Sequence, residues 1–140
     1  MPEPERVFSV VREWIQKAEN DLTNAAHALK LGARCPTDTV CFHAQQCVEK
    51  YLKTYLSFAA IDFPKTHDIR LLLALLPKNA RPVITLKDQR SLTAYATGAR
   101  YPGWGEISLA EARRAVAVAR RVRKEIRRLL PAKVFRNRKR

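Results

Sequence analysis

Apolar residues recur along this chain at intervals of three and four, the spacing that keeps one side of an α-helix turned toward a core. The first run, Val11, Trp14, Ile15, Ala18, Leu22, Ala25, Ala26 and Leu29, predicts a helix from Val11 to Leu29. It should close near Gly32, with Pro36 just beyond. A second run, Val40, Ala44, Cys47, Val48, Tyr51, Leu52, Tyr55, Leu56 and Ala59, predicts a long helix capped by Thr37 and stopped at Asp62-Phe63-Pro64. Ile69 to Leu76 is short and almost wholly apolar, the pattern of a buried helix ended by Pro77. Thr85-Leu86-Lys87-Asp88 and Ser108-Leu109-Ala110-Glu111 have the form of capping boxes. The first opens a helix through about Thr97. The second opens a last long helix with Ala112, Ala115, Val116, Ala119, Val122, Ile126, Leu129 and Leu130 on one side. No segment alternates as a strand does. Three long and two shorter helices on short connections predict an all-α, antiparallel up-and-down bundle of four to five helices.

A chain of 140 residues holds one such domain, and the expected division is a bundle over 1–131 followed by a basic tail over 132–140. Charge sharpens this picture. Of the net +14, the stretch from Glu111 to Arg140 carries +11, with 13 Lys or Arg against 2 Asp or Glu. Most arginines of the last helix fall opposite its apolar side, but Arg123 falls among the apolar positions and calls for a carboxylate partner or a subunit boundary. Lys133 to Arg140 has no periodicity and reads as a mobile arm. A clustered positive field of this kind suits nucleic acid, nucleotides or an acidic protein face. No run of about 18 apolar residues is present, and the last helix has an alanine-rich apolar side, so no membrane role is expected. Glu3, Glu5, Arg6, Arg12 and Glu13 stand where a leader would be apolar, so a cytoplasmic location is expected. Cys35, Cys41 and Cys47 form no C-x-x-C pair and read as reduced, buried thiols.

Phosphate loops of the G-x-x-x-x-G-K-[ST] or G-x-G-x-x-G type and the zinc helix H-E-x-x-H are absent, so neither a cofactor nor a metal is expected. What remains is a polar set on the second helix, His43, Lys50 and Lys53, and the loop Arg100-Tyr101-Pro102-Gly103-Trp104. His43 suits a hydrogen-bonded structural role as well as a ligand contact, and Tyr51 and Tyr55 keep core spacing. The loop could grip a phosphate through the planar guanidinium fork and stack a base, or could pack its aromatics as a lid on the bundle.

Lys17-Ala18-Glu19-Asn20-Asp21-Leu22, Phe42-His43-Ala44-Gln45-Gln46 with Glu49-Lys50-Tyr51-Leu52-Lys53, Lys65-Thr66-His67-Asp68 and Ala99-Arg100-Tyr101-Pro102, in this order, resemble the HEPN domain family over about Val11 to Leu130. The resemblance implies a bundle that dimerises, with Arg100 lining a cleft at the dimer interface. It also implies binding of nucleotide or RNA and partnership with a minimal nucleotidyltransferase in a toxin–antitoxin-like pair. Some members are metal-independent ribonucleases, in which an arginine is followed after four to six residues by a histidine. Here Gly105, Glu106 and Ile107 stand at that interval after Arg100, and none of His27, His43 or His67 follows an arginine in that way. General acid–base help worth roughly 10²–10⁴-fold would lack its imidazole. The expected function is therefore non-catalytic nucleotide or RNA binding through Arg100, Tyr101, Lys50, Lys53, His43 and His67. Two alternatives stand beside it: a ribonuclease toxin in which His43 or His67 reaches Arg100 through the fold or the dimer, and a protein-interaction subunit whose basic face docks an acidic partner.

Overall fold

The computed structural model of the chain describes residues 4–136, and over these it contains five α-helices and no strand. The apolar stripe that starts at Val11 continues backward through partly buried Val7 and Phe8, so α1 runs Pro4–Leu29 and begins earlier than its strongest periodicity. Pro4 sits in the first turn, where its missing amide hydrogen has no helical partner to lose. Gly32, at φ +60, lets the chain reverse into a short 3-10 turn, Gly32–Arg34, before α2 (Thr37–Phe58).

Thr37 does not cap α2. Pro36 holds the cap position, and the carboxylate of Asp38 accepts from the Thr39 amide at 2.8 Å. At the other end the helix closes before it reaches Pro64. Ala60 adopts φ +58, and the Ile61 amide donates to the Leu56 carbonyl at 2.9 Å, a closure that glycine more often provides. α3 (Ile69–Leu75) is capped by Asp68, whose carboxylate accepts from the Leu71 amide. Thr85 and Ser108 cap α4 (Leu86–Ala96) and α5 (Leu109–Arg128) as their sequences predict.

α2 is the central helix and packs against all four others. Tyr51, Leu52 and Leu56 of α2 meet Ile69, Leu72, Leu92 and Ile126 in a fully buried core. α1 lies antiparallel to α2, with Asp21 beside His43 at one end and Trp14 beside Lys53 at the other. Cys35, Cys41 and Cys47 are buried free thiols, and burial pushes Cys41 up to about 12 and Cys47 higher still, so neither is a ready thiolate.

Arg123 finds its carboxylate within the chain. Its Nε donates to Glu19 Oε2 at 2.7 Å, the Tyr51 hydroxyl donates to the same oxygen, and Arg127 reaches the Tyr51 hydroxyl at 3.3 Å. Burial alone would raise the Glu19 carboxyl, but the hydrogen bonds from Arg123 and Tyr51 hold it below its ordinary value.

Beyond Pro131 the chain does not behave as a mobile arm over residues 132–136. Ala132–Phe135 forms a 3-10 turn that buries Val134, and Arg12 donates to the Val134 and Lys133 carbonyls at 2.9 and 3.0 Å. One apolar side chain in the core and one arginine satisfying two carbonyls are enough to dock a segment whose charge alone reads as tail. The last four residues of the expected arm, 137–140, lie outside the described residues.

Two measurements test this architecture. Truncating Ile126 to alanine should lower stability by about 2–5 kcal/mol, read from the denaturant midpoint, since the residue is fully enclosed. Glu19 has a depressed folded pKa, so its contribution is present above the ordinary glutamate pKa of about 4.3 and disappears as pH falls through the folded value. Glu19→Gln should therefore flatten part of the acid limb of the stability–pH curve, the rest belonging to Glu49 and Asp88, which are also depressed. An unchanged acid limb would remove Glu19 from that account.

Candidate functional site

The connection between α4 and α5 is built to present Arg100. α4 ends at Ala96, and a 3-10 turn, Gly98–Arg100, buries Ala99 while its neighbour Arg100 stays exposed. The Trp104 indole lies over Gly98, 3.3 Å from where a Cβ would stand, so a larger residue there would push the ring away. Gly103 and Gly105 take φ +95 and +101, a region other residues rarely adopt, and they bring the chain back to Ser108 and α5.

This loop and the α1–α2 connection enclose an open cleft of about 690 Å³. Arg100 and Tyr101 line it on one side, and Ala33, Asp38, Glu106 and Ser108 are among its other walls. The guanidinium carbon of Arg100 stands 4.3 Å from the centre of the Phe42 ring, a contact that supports the side chain without occupying its N–H groups. Among the described residues Arg100 makes no ion pair. Two carboxylates, Asp38 and Glu106, share the cleft, but so do the first turns of both α2 and α5, whose amides carry the positive ends of their helix dipoles. Tyr101 is 65% exposed and Trp104 half exposed, so neither is packed as a lid over the bundle core.

The other candidates gather around two buried carboxylates, one on α1 and one on α2. Asp21 accepts from Lys50 Nζ at 2.6 Å and pairs with His43 Nδ1 at 2.8 Å. Glu49 accepts from Lys53 Nζ at 2.8 Å and Gln45 Nε2 at 2.7 Å, and pairs with His67 Nδ1 at 2.8 Å. Burial would raise the Glu49 carboxyl, yet the bonds from Lys53, His67 and Gln45 bring it below its usual range. Lys53 is itself buried, against the paired Trp14 and Phe63 rings, each 5.7 Å from its ammonium. His43 stands edge-on to Phe42 at 5.5 Å, so the Phe42 ring joins the Arg100 guanidinium to the Asp21–His43–Lys50 group. His67 belongs to the Glu49 group instead, with over half of its side chain exposed.

Arg100 and Tyr101 thus share one cleft, His43 and Lys50 share one carboxylate, and Lys53 and His67 share another. Phe42, Asp21 and Glu49 are the organising residues that periodicity leaves unremarked. Asp21 sits three residues after Ala18 and four before Ala25 on the apolar side of α1, and a carboxylate in such a place is the signal that could have found it. Among the described residues no group of His, Cys, Asp and Glu converges as metal ligands. No helix among the described residues is long and apolar enough to cross a membrane.

Known proteins give this arrangement a family. No curated protein matches the chain. Two solved structures do: TT1696 from Thermus thermophilus, 27% identical, with TM-score 0.68 over 86% of this chain and 98% of that one, and ST0689, described as an archaeal HEPN homologue, 28% identical, with TM-score 0.64 over 85% and 96%. A sequence profile of the HEPN domain matches residues 11–129, which takes in both carboxylate groups and the whole Arg100 cleft, and the chain belongs to the HEPN domain family.

Proposed function

We propose that this HEPN domain binds a nucleotide or RNA without cleaving it, taking a phosphate on Arg100 and a base against Tyr101. The observation that carries the reading is the state of Arg100: exposed, resting over the Phe42 ring, without an ion pair among the described residues, at a cleft where two helices begin. A guanidinium so placed offers a pre-oriented pair of donors to a phosphate. His43 and Lys50 add a second polar group beyond Phe42, while Lys53 and His67, both paired with Glu49, stand away from a ligand in the cleft. The family resemblance extends the proposal to a homodimer and to a minimal nucleotidyltransferase as partner in a toxin–antitoxin-like pair.

One observation favours a second reading, ribonuclease action. His43 is held through Nδ1 by Asp21, which leaves Nε2 available as a proton acceptor beside the ring that carries Arg100. Cleavage of an RNA pool that disappears in both Arg100→Ala and His43→Ala would replace the non-catalytic reading.

Titration calorimetry with mononucleotides and short RNAs tests the proposal. Removing a charge-assisted bidentate contact costs about 1.5–3 kcal/mol, so Arg100→Ala should weaken binding by about tenfold or more while leaving the fold intact. Equal affinity in wild type and variant would end the assignment of Arg100 to the ligand. Tight binding of a partner protein with no nucleotide or RNA affinity would point instead to an interaction subunit.

A further inference from the structure

Eight basic residues lie on α5, and the structure divides them into two sets. Arg114 pairs with Asp88 at 2.7 Å, Arg121 donates to the Val83 carbonyl, Arg123 holds Glu19, and Arg127 meets the Tyr51 hydroxyl and the Phe135 ring. Arg113, Arg120, Lys124 and Arg128 are exposed and have no hydrogen bond, ion pair or ring partner among the described residues. At 100° per residue these four fall in one row on the solvent side of the helix. The row is about 22 Å long, and Arg120, Lys124 and Arg128 are spaced one turn, about 6 Å, apart.

A row of like charges at i, i+4 opposes helix formation, so nothing internal favours it. Arg128 near the C-terminus suits the helix dipole, but Arg113 lies in the first turns, where a cation is disfavoured. The row also has a direction. Leu109, one turn before Arg113, lines the Arg100 cleft, and the exposed rings of Tyr101 and Trp104 stand on the loop that leads into it. A file of cations one residue wide, on a helix entered from a loop with exposed aromatic rings, matches how single strands are held, with phosphates on the charges and bases on the rings.

We propose that the α5 row is a track for the phosphodiester backbone of a single-stranded nucleic acid, one nucleotide of which occupies the Arg100 cleft. For that anchored nucleotide the proposal rests on the cleft reading above; the track itself stands on α5. An acidic protein is disfavoured by the regular single file, which fits a repeating anion better than scattered carboxylates.

The test compares wild type, Arg100→Ala, and the fourfold variant Arg113→Gln, Arg120→Gln, Lys124→Gln, Arg128→Gln. A control, Lys30→Gln, Arg70→Gln, Lys78→Gln, Arg90→Gln, removes the same charge from other exposed positions. Each is titrated with AMP and with labelled 12-mer single strands of RNA and of DNA, over a range of salt. The row variant should keep AMP binding and lose at least about tenfold in 12-mer affinity. Its log–log salt slope should become shallower by about 3, at roughly 0.7 per phosphate contact for single strands. Row dependence with either strand supports the track, and the stronger binder identifies which strand it takes. The track is overturned if the row variant binds the 12-mers as wild type does, if the control loses as much as the row variant, or if polyglutamate competes as well as the strand. Should Arg100→Ala retain AMP binding while the 12-mers stay row-dependent, the cleft reading fails and the track survives. Because all four side chains are exposed, unchanged circular dichroism is expected throughout.

Discussion

The contact between Glu19 and Arg123 ties the first helix to the most strongly charged part of the chain. It joins α1 to α5 across more than a hundred residues, and the Tyr51 hydroxyl brings α2 to the same oxygen. With Arg123 held inward and Ala112, Val116, Ala119, Val122 and Ile126 buried beside it, the rotation of α5 about its own axis is set. Arg114, Arg121 and Arg127 then fall within reach of Asp88, the Val83 carbonyl and Tyr51, and the four remaining cations are turned to solvent. The buried side of α5 and this carboxylate together separate the arginines that serve the fold from those available to an external anion.

The same logic governs α2. A helix surrounded by four others has little solvent for the polar residues of its middle turns, so each charge carried there must meet a partner within the bundle. Asp21 and Glu49 provide those partners, each bridging a lysine and a histidine. Neutralised pairs of this kind project little field and make poor phosphate hooks, which leaves the positive potential to residues that the bundle does not need. Arg100 is one of them because Phe42 supports it from beneath without competing for its hydrogen bonds.

Loop geometry completes the site. Ala99 anchors the turn by burial, two glycines at positive φ return the chain to α5, and the first turns of α2 and α5 end up facing one cleft. The carboxylates Asp38 and Glu106 temper the charge there, so the cleft suits one phosphate held by geometry more than a dense polyanion. The dense cation file lies outside it, on α5. This separation assigns orientation to the cleft and salt-dependent affinity to the helix.

Much of this was legible along the chain. Helix number, the Thr85 and Ser108 caps, the bundle class, the glycine-rich loop that carries Arg100 and the need of Arg123 for a carboxylate follow from periodicity and local backbone chemistry, which act over a few residues. Tertiary structure alone decided the rest, because it depends on which distant groups meet. The partner of Arg123 lies on α1, and Lys53 is enclosed by rings from α1 and the segment after α2. Val134 draws a basic stretch that reads as tail onto the bundle, and Pro36 takes the cap position that Thr37 suits by type. Periodicity reports which side of a helix faces inward, but pairing between charges is set by distances that exist only once the helices have packed.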